Sequence, residues 1–280
     1  MKNIILIIKG FFMGLANLIP GVSGGTIAIT LGIYDKLISS ISHILSNIKE
    51  NIKFLLPIFI GMILSILSLS KVMSFALDKF LFPTILFFIG AIVGGIPMLY
   101  KKVKGNKNIS FYIIFILTFA FVIGMTYLSG GKVVSFDGMN IVGYIKLFFV
   151  GVISAATMVI PGISGSAVLM TLGYYEPVIN TIKDLTNFSN LFSNMMILIP
   201  FGIGVIIGIL LIAKLIEYLL KKYEVKTYYG ILGFVFASII SIIIQNFFMN
   251  GIISVSILEI VLSIILFGLG FIIAYKLGDK

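Results

Sequence analysis

The stretch "IPGVSGGTIAITLGIYDK" occupies residues 19–36, inside an apolar run, and "IPGISGSAVLMTLGYYEP" repeats it at residues 160–177. Irregular backbone at membrane depth is tolerated only where protein buries it or a water-filled cavity meets it. A Pro-Gly-x-Ser-Gly written twice therefore needs an interior to face. That this chain lies in a membrane follows from its composition: 60% of residues are hydrophobic and 11% charged, against about a quarter charged in soluble domains. Several apolar runs reach the roughly 20 residues that cross a bilayer core. The N-terminal run resembles a signal peptide but has no A-x-A-like site and continues into the first break, so it is expected to stay as structure.

The repetition extends beyond the motif. With Pro20 set on Pro161, eight of fifteen positions from 20 to 34 are identical, and Asp35 falls on Glu176. At an offset of 143, Pro57, Gly61 and Lys71 fall on Pro200, Gly204 and Lys214, and Thr84 and Gly90 on Thr227 and Gly233. The expected fold is an all-α polytopic membrane protein, 1–280 as a single membrane domain, built from two repeats (1–130 and 141–280). Each repeat is a Pro-Gly-broken helical hairpin (2–43; 141–182) followed by three spans: 54–72, 83–100 and 109–128, then 195–216, 228–246 and 257–275. The hairpin is either re-entrant or two full crossings. Both give each half an odd number of crossings and predict inverted halves.

Charge supports inversion. All 20 basic residues are lysine. With the 101–107 loop placed inside, fourteen lysines and four acids lie inside, and three lysines face three acids outside. Both termini are then cytoplasmic. A net charge of +10 would suggest nucleic-acid binding in a soluble chain; here it reads as orientation, with no nucleic-acid partner. Cysteine is absent, so thiol chemistry, disulfides and Cys-metal sites are excluded, and neither metal nor cofactor is expected.

At each break Pro20 or Pro161 should stop the incoming helix. Gly21 and Gly24, with Gly162 and Gly165, permit positive φ and close backbone approach. Ser23 and Ser164 are placed to N-cap the helices that follow, and Thr26 and Ser166 add hydroxyls. The expected product is a pair of anion-binding clusters of N–H groups, hydroxyls and helix N-termini. The opposing reading is a packing notch, since Gly and small residues let membrane helices approach closely. Asp35 and Glu176, roughly 15 Å along the next helix at about 1.5 Å per residue, are interfacial charges or proton-coupling groups. Lys71 and Lys214 either snorkel or contact phosphate. Asn17, a third candidate for phosphate contact, stands before the first break, where the second has Met158. His43, the only histidine, reads as solvated.

The paired motif, the Gly-x-Tyr-Asp/Glu after it and the chain length resemble the PopT family of bacterial membrane proteins, associated with undecaprenyl phosphate translocation. The resemblance spans essentially the whole chain. It implies a flippase that returns the lipid carrier to the cytoplasmic leaflet for cell-envelope synthesis, a lipid-linked phosphate as substrate, a bacterial cytoplasmic membrane location, and the motif residues from Pro20 to Gly25 and Pro161 to Ser166 as its site. A membrane phosphatase, a transporter of another anion and a structural scaffold are the alternatives. Cleavage would want an acid/base group and dense positive charge, and the sequence offers no arginine or cysteine and one histidine outside the breaks.

Overall fold

The structure is a computed structural model, and it describes residues 2–19, 22–128, 133–136, 138–186, 191–248 and 256–278. The protein is an all-α polytopic membrane protein, with no strand among the described residues. Among the described residues twelve α-helices follow in order: α1 Lys2–Asn17, α2 Gly24–Thr30, α3 Tyr34–Ser42, α4 Ile48–Lys79, α5 Leu81–Val103, α6 Ile109–Tyr127, α7 Ile141–Val159, α8 Gly165–Thr171, α9 Tyr175–Thr186, α10 Leu191–Lys222, α11 Glu224–Ile243 and α12 Ile257–Gly278. A π-helical turn, Ile244–Phe248, extends α11. Seven of these helices are long and apolar enough to cross a membrane: α4, α5, α6, α7, α10, α11 and α12.

The first six helices match the second six in order and closely in length. The clearest pair is α4 and α10, each 32 residues. At ~1.5 Å per residue they reach about 48 Å, longer than a bilayer core. The spans expected at 54–72 and 195–216 are thus only their apolar middles. Pro57 and Pro200 both stand at the tenth position without ending the helix.

The broken segments differ from the expected single break. The incoming helices end at Asn17 and Val159, ahead of the prolines. The helices that follow are then interrupted a second time, at Gly32 (φ +70) and Gly173 (φ +77). These left-handed glycines close C-terminal turns of the Schellman type: Ile33 N–H donates to Ala28 O at 3.1 Å and Tyr174 N–H to Leu169 O at 2.9 Å. Asp35 and Glu176 therefore begin new helices instead of lying midway along one.

Helix pairing follows from glycine. Gly10 meets Ile58 and Gly14 meets Met62 across α1 and α4; Gly151 meets Phe201 and Gly208 meets Val152 across α7 and α10. Residue numbers rise together along both members of each pair, so α1 runs parallel to α4 and α7 to α10. The other large contacts cross between halves. Gly90 and Gly94 of α5 meet Phe267 and Phe271 of α12, and Gly230 and Gly233 of α11 meet Ile114 and Phe115 of α6, again in parallel register. Most of these glycines lie against backbone of the partner helix, where a methyl group would collide.

Candidate functional site

The two breaks meet. The Thr26 hydroxyl is fully buried and accepts from Gly162 N–H at 2.7 Å. The Tyr34 hydroxyl donates to Val159 O at 3.1 Å. These two bonds tie the first broken segment to the second near the molecule's core. Beside them lies a cavity of about 630 Å³ whose polar side is formed by Asn17, Ser23 and Gly24 from the first break and by Ser164 and Ser166 from the second. Gly25 and Gly165 complete that side. The rest is apolar, contributed mainly by α3 and α4 through residues such as Leu37, Ile41, Leu55 and Phe59. Leu56 and Phe59 line this cavity yet are 50% and 59% exposed, so the α4 wall opens sideways toward the bilayer.

The breaks are chemically unequal. In the first, Asn17 Oδ1 accepts from Gly24 N–H at 3.1 Å and Ser23 Oγ from Gly25 N–H at 3.2 Å. Two of the N–H groups expected to be free are thus occupied by the chain's own side chains. In the second, Ser164 holds the N-cap position without a capping hydrogen bond. Its Oγ lies 2.7 Å from Ser166 Oγ instead. Met158, where the first break has Asn17, replaces the carboxamide oxygen with a weakly accepting thioether. Both α2 and α8 are only seven residues long, so summed dipoles contribute little and individual donors must do the binding.

The other residues singled out from sequence are dispersed. Pro20 and Gly21 lie outside the described residues. Pro161 and Gly162 are buried and face away from this cavity, Pro161 toward a second one. Lys71 and Lys214 are exposed and line neither cavity. Asp35 sits where α3, α5 and α11 meet, accepting from the Tyr228 hydroxyl and lying 3.8 Å from Lys102 Nζ, which also reaches Glu224 at 3.5 Å. Glu176 is exposed, with no ion pair seen among the described residues.

Three residues were not legible as site-related. Lys9, grouped with the inside-facing lysines by charge, is 3% exposed, and its Nζ donates to Leu31 O at 2.7 Å, capping the C-terminus of α2. The repeat could have flagged it, since Val150 stands at its counterpart position. Tyr34, identical with Tyr175 across the repeat, borders both cavities. Glu217, counted as an inside-facing acid, is buried between α10 and α3, with Ser39 Oγ at 3.0 Å, Lys221 Nζ at 2.8 Å and His43 Nδ1 at 3.2 Å. His43 keeps the solvent exposure expected of it, its side chain being 42% exposed, and adds this contact with a carboxylate.

Comparison with known proteins places this arrangement in a family. A family profile described as VCA0040-like, undecaprenyl phosphate translocase-like, matches residues 13–254. The chain is 35% identical over 277 residues to a polyprenyl-phosphate transporter of Staphylococcus aureus (strain NCTC 8325 / PS 47), covering 97% of this chain and 95% of that protein. It is 32% identical over 231 residues to a polyprenyl-phosphate transporter of Vibrio cholerae serotype O1 (strain ATCC 39315 / El Tor Inaba N16961), covering 78% of this chain and 70% of the relative. No solved structure matches. Over nearly its whole length, then, the chain belongs to the VCA0040-like family of undecaprenyl phosphate translocase-like membrane proteins.

Proposed function

We propose that this protein carries undecaprenyl phosphate across the bacterial cytoplasmic membrane, returning the carrier to the cytoplasmic leaflet without cleaving it. The observation that carries this is the single cavity joining the hydroxyls of both breaks to an apolar wall open to lipid. A polyprenyl phosphate couples an anionic head to a long apolar chain. Moving the head through hydrocarbon unaided is expensive. Ser164, Ser166 and the uncapped Gly165 N–H give the phosphate donors inside protein, while the chain stays in lipid past α4. Phosphate is bound here without arginine, so individual hydrogen bonds replace bidentate geometry.

Alternation between leaflets rests on the inverted repeat, which belongs to the same proposal. Successive spans run in opposite directions, so α5 and α6 oppose each other. The parallel pairing of α5 with α12 and of α6 with α11 supports a second half turned upside down. The parallel pairing of α1 with α4 supports a broken hairpin that returns to the face it left. Single cysteines placed within residues 101–107 and within residues 247–256 should label from opposite sides of the membrane; labelling of both from one side rejects inversion.

The function is tested by reconstituting the purified protein in vesicles and following access of undecaprenyl phosphate to each leaflet, with inorganic phosphate release measured in parallel. Transbilayer movement without phosphate release is expected. Phosphate release would favour the phosphatase reading, and movement of free phosphate alone would favour a small-anion transporter.

A further inference from the structure

A second cavity, about 500 Å³, lies between α6, α10 and α11. Its walls are aliphatic and aromatic, with Ile114, Ile212, Leu215, Ile231 and Phe234 prominent. One end is bounded by Pro161 and Tyr34, the same tyrosine that borders the cavity between the breaks. The other end is polar: Tyr223, Lys226 and Thr227. From 223 to 234 the α11 wall runs about 16 Å at ~1.5 Å per residue. Leu215 is 50% exposed, so this cavity too is open from the side.

Lys226 is exposed, with its ammonium 5.6 Å from the Tyr223 ring centre, and no acid pairs with it among the described residues. Glu224, two residues away, is engaged by Lys102 instead. A cation without an anionic partner at the mouth of an apolar slot suits a molecule with a single chain and an anionic head.

We propose that this groove is a second polyprenyl-phosphate position, with the phosphate at Lys226 and the first isoprene units along α10 and α11 toward Tyr34. The proposal rests on the translocase reading above. It makes the two cavities successive stations of one lipid, divided by Tyr34 and the 160–161 turn. Their polar groups sit at different places along the helices: the breaks in the core, Lys226 in the first turn of α11.

The chain has no cysteine, so single cysteines can report each cavity separately. Leu215→Cys would mark the groove and Phe59→Cys the cavity between the breaks, in purified full-length protein in phosphatidylcholine nanodiscs. Geranylgeranyl phosphate should slow thiol labelling at both positions. Adding Lys226→Gln should raise the concentration needed at Leu215→Cys about tenfold, the effect of one hydrogen bond to a charged group, and leave Phe59→Cys unchanged. Protection at Phe59→Cys alone overturns the groove and leaves the translocase reading standing. Protection at neither overturns both. If geranylgeraniol or phosphatidylglycerol protects Leu215→Cys as well as the phosphate does, or Lys226→Gln changes nothing, the groove is not a polyprenyl-phosphate position.

Discussion

The first break satisfies itself and the second does not. Asn17 and Ser23 take the N–H groups of Gly24 and Gly25. At the second break, methionine replaces asparagine and the two serine hydroxyls turn toward each other. A Pro-Gly-x-Ser-Gly motif present at both breaks thus serves two purposes. Both breaks line the same cavity, but the first spends its Gly24 and Gly25 N–H groups on its own side chains, while the second leaves Gly165 N–H without a side-chain cap. One residue outside the motif makes most of the difference. A donor already bonded by its own chain has little left to give a ligand, because a new bond must first replace the old one. The phosphate-binding reading therefore falls more heavily on the second break, where the Gly165 N–H has no side-chain cap, than on the first, where the Gly24 and Gly25 N–H groups are taken.

That contrast can be broken in order of expected effect. Gly165→Val should abolish transport: an added Cβ would lie 2.9 Å from Ser154 O and press on the Met158 side chain. Vesicle translocation checks this, alongside a chromatographic test that the protein remains monodisperse.

Next, Ser164→Ala with Ser166→Ala should weaken polyprenyl-phosphate binding at least about tenfold, since a hydrogen bond to a charged ligand is worth about 1.5–3 kcal/mol. Ser23→Ala should instead lower stability by about 1 kcal/mol, as for a lost N-cap, with affinity nearly unchanged. Titration of both purified variants decides, and equal losses of affinity would erase the distinction between the breaks.

A smaller, sharper effect is expected from Met158→Asn, which gives the second break the acceptor that the first already has. It should raise the melting temperature slightly and weaken lipid-phosphate binding by a few fold, because the new carboxamide competes for Gly165 N–H. A rise in affinity would mean that the asparagine itself contacts phosphate.

The smallest effect should come from Asp35→Asn combined with Glu176→Gln. Asp35 is a half-exposed partner of Lys102, and exposed pairs contribute about 0–1 kcal/mol. Transport and its pH profile should both persist; a flattened profile would restore these acids as coupling groups.

Much of the architecture was legible before any coordinates. Apolar length pointed to the seven long apolar helices, and the steady offset of Pro, Gly and Lys pointed to the repeated order of helix lengths. The helix ends were less legible. Gly32 reads as an ordinary membrane-helix glycine, and nothing local shows that it takes φ +70 and splits the helix after the break. Lys9 counts as a flanking charge in any tally along the chain. Only folding α2 back against α1 brings the Leu31 carbonyl to its ammonium.

What the sequence determined by itself is therefore one-dimensional: membrane residence, a motif written twice at a steady offset, and two places where helix must stop. Apolar run length and the backbone chemistry of proline and glycine act locally, and they survive without knowledge of neighbours. The tertiary structure decided which donors remain available. Whether an N–H is free depends on whether Asn17 or Met158 stands beside it in space. Tertiary packing also decided that Thr26, read as a ligand hydroxyl, bonds Gly162 from the opposite half. It further set Ser164 and Ser166 beside the apolar wall of α3 and α4. Hydrogen bonds are short and directional, so their partners across more than a hundred residues are fixed by packing and cannot be read from spacing along the chain.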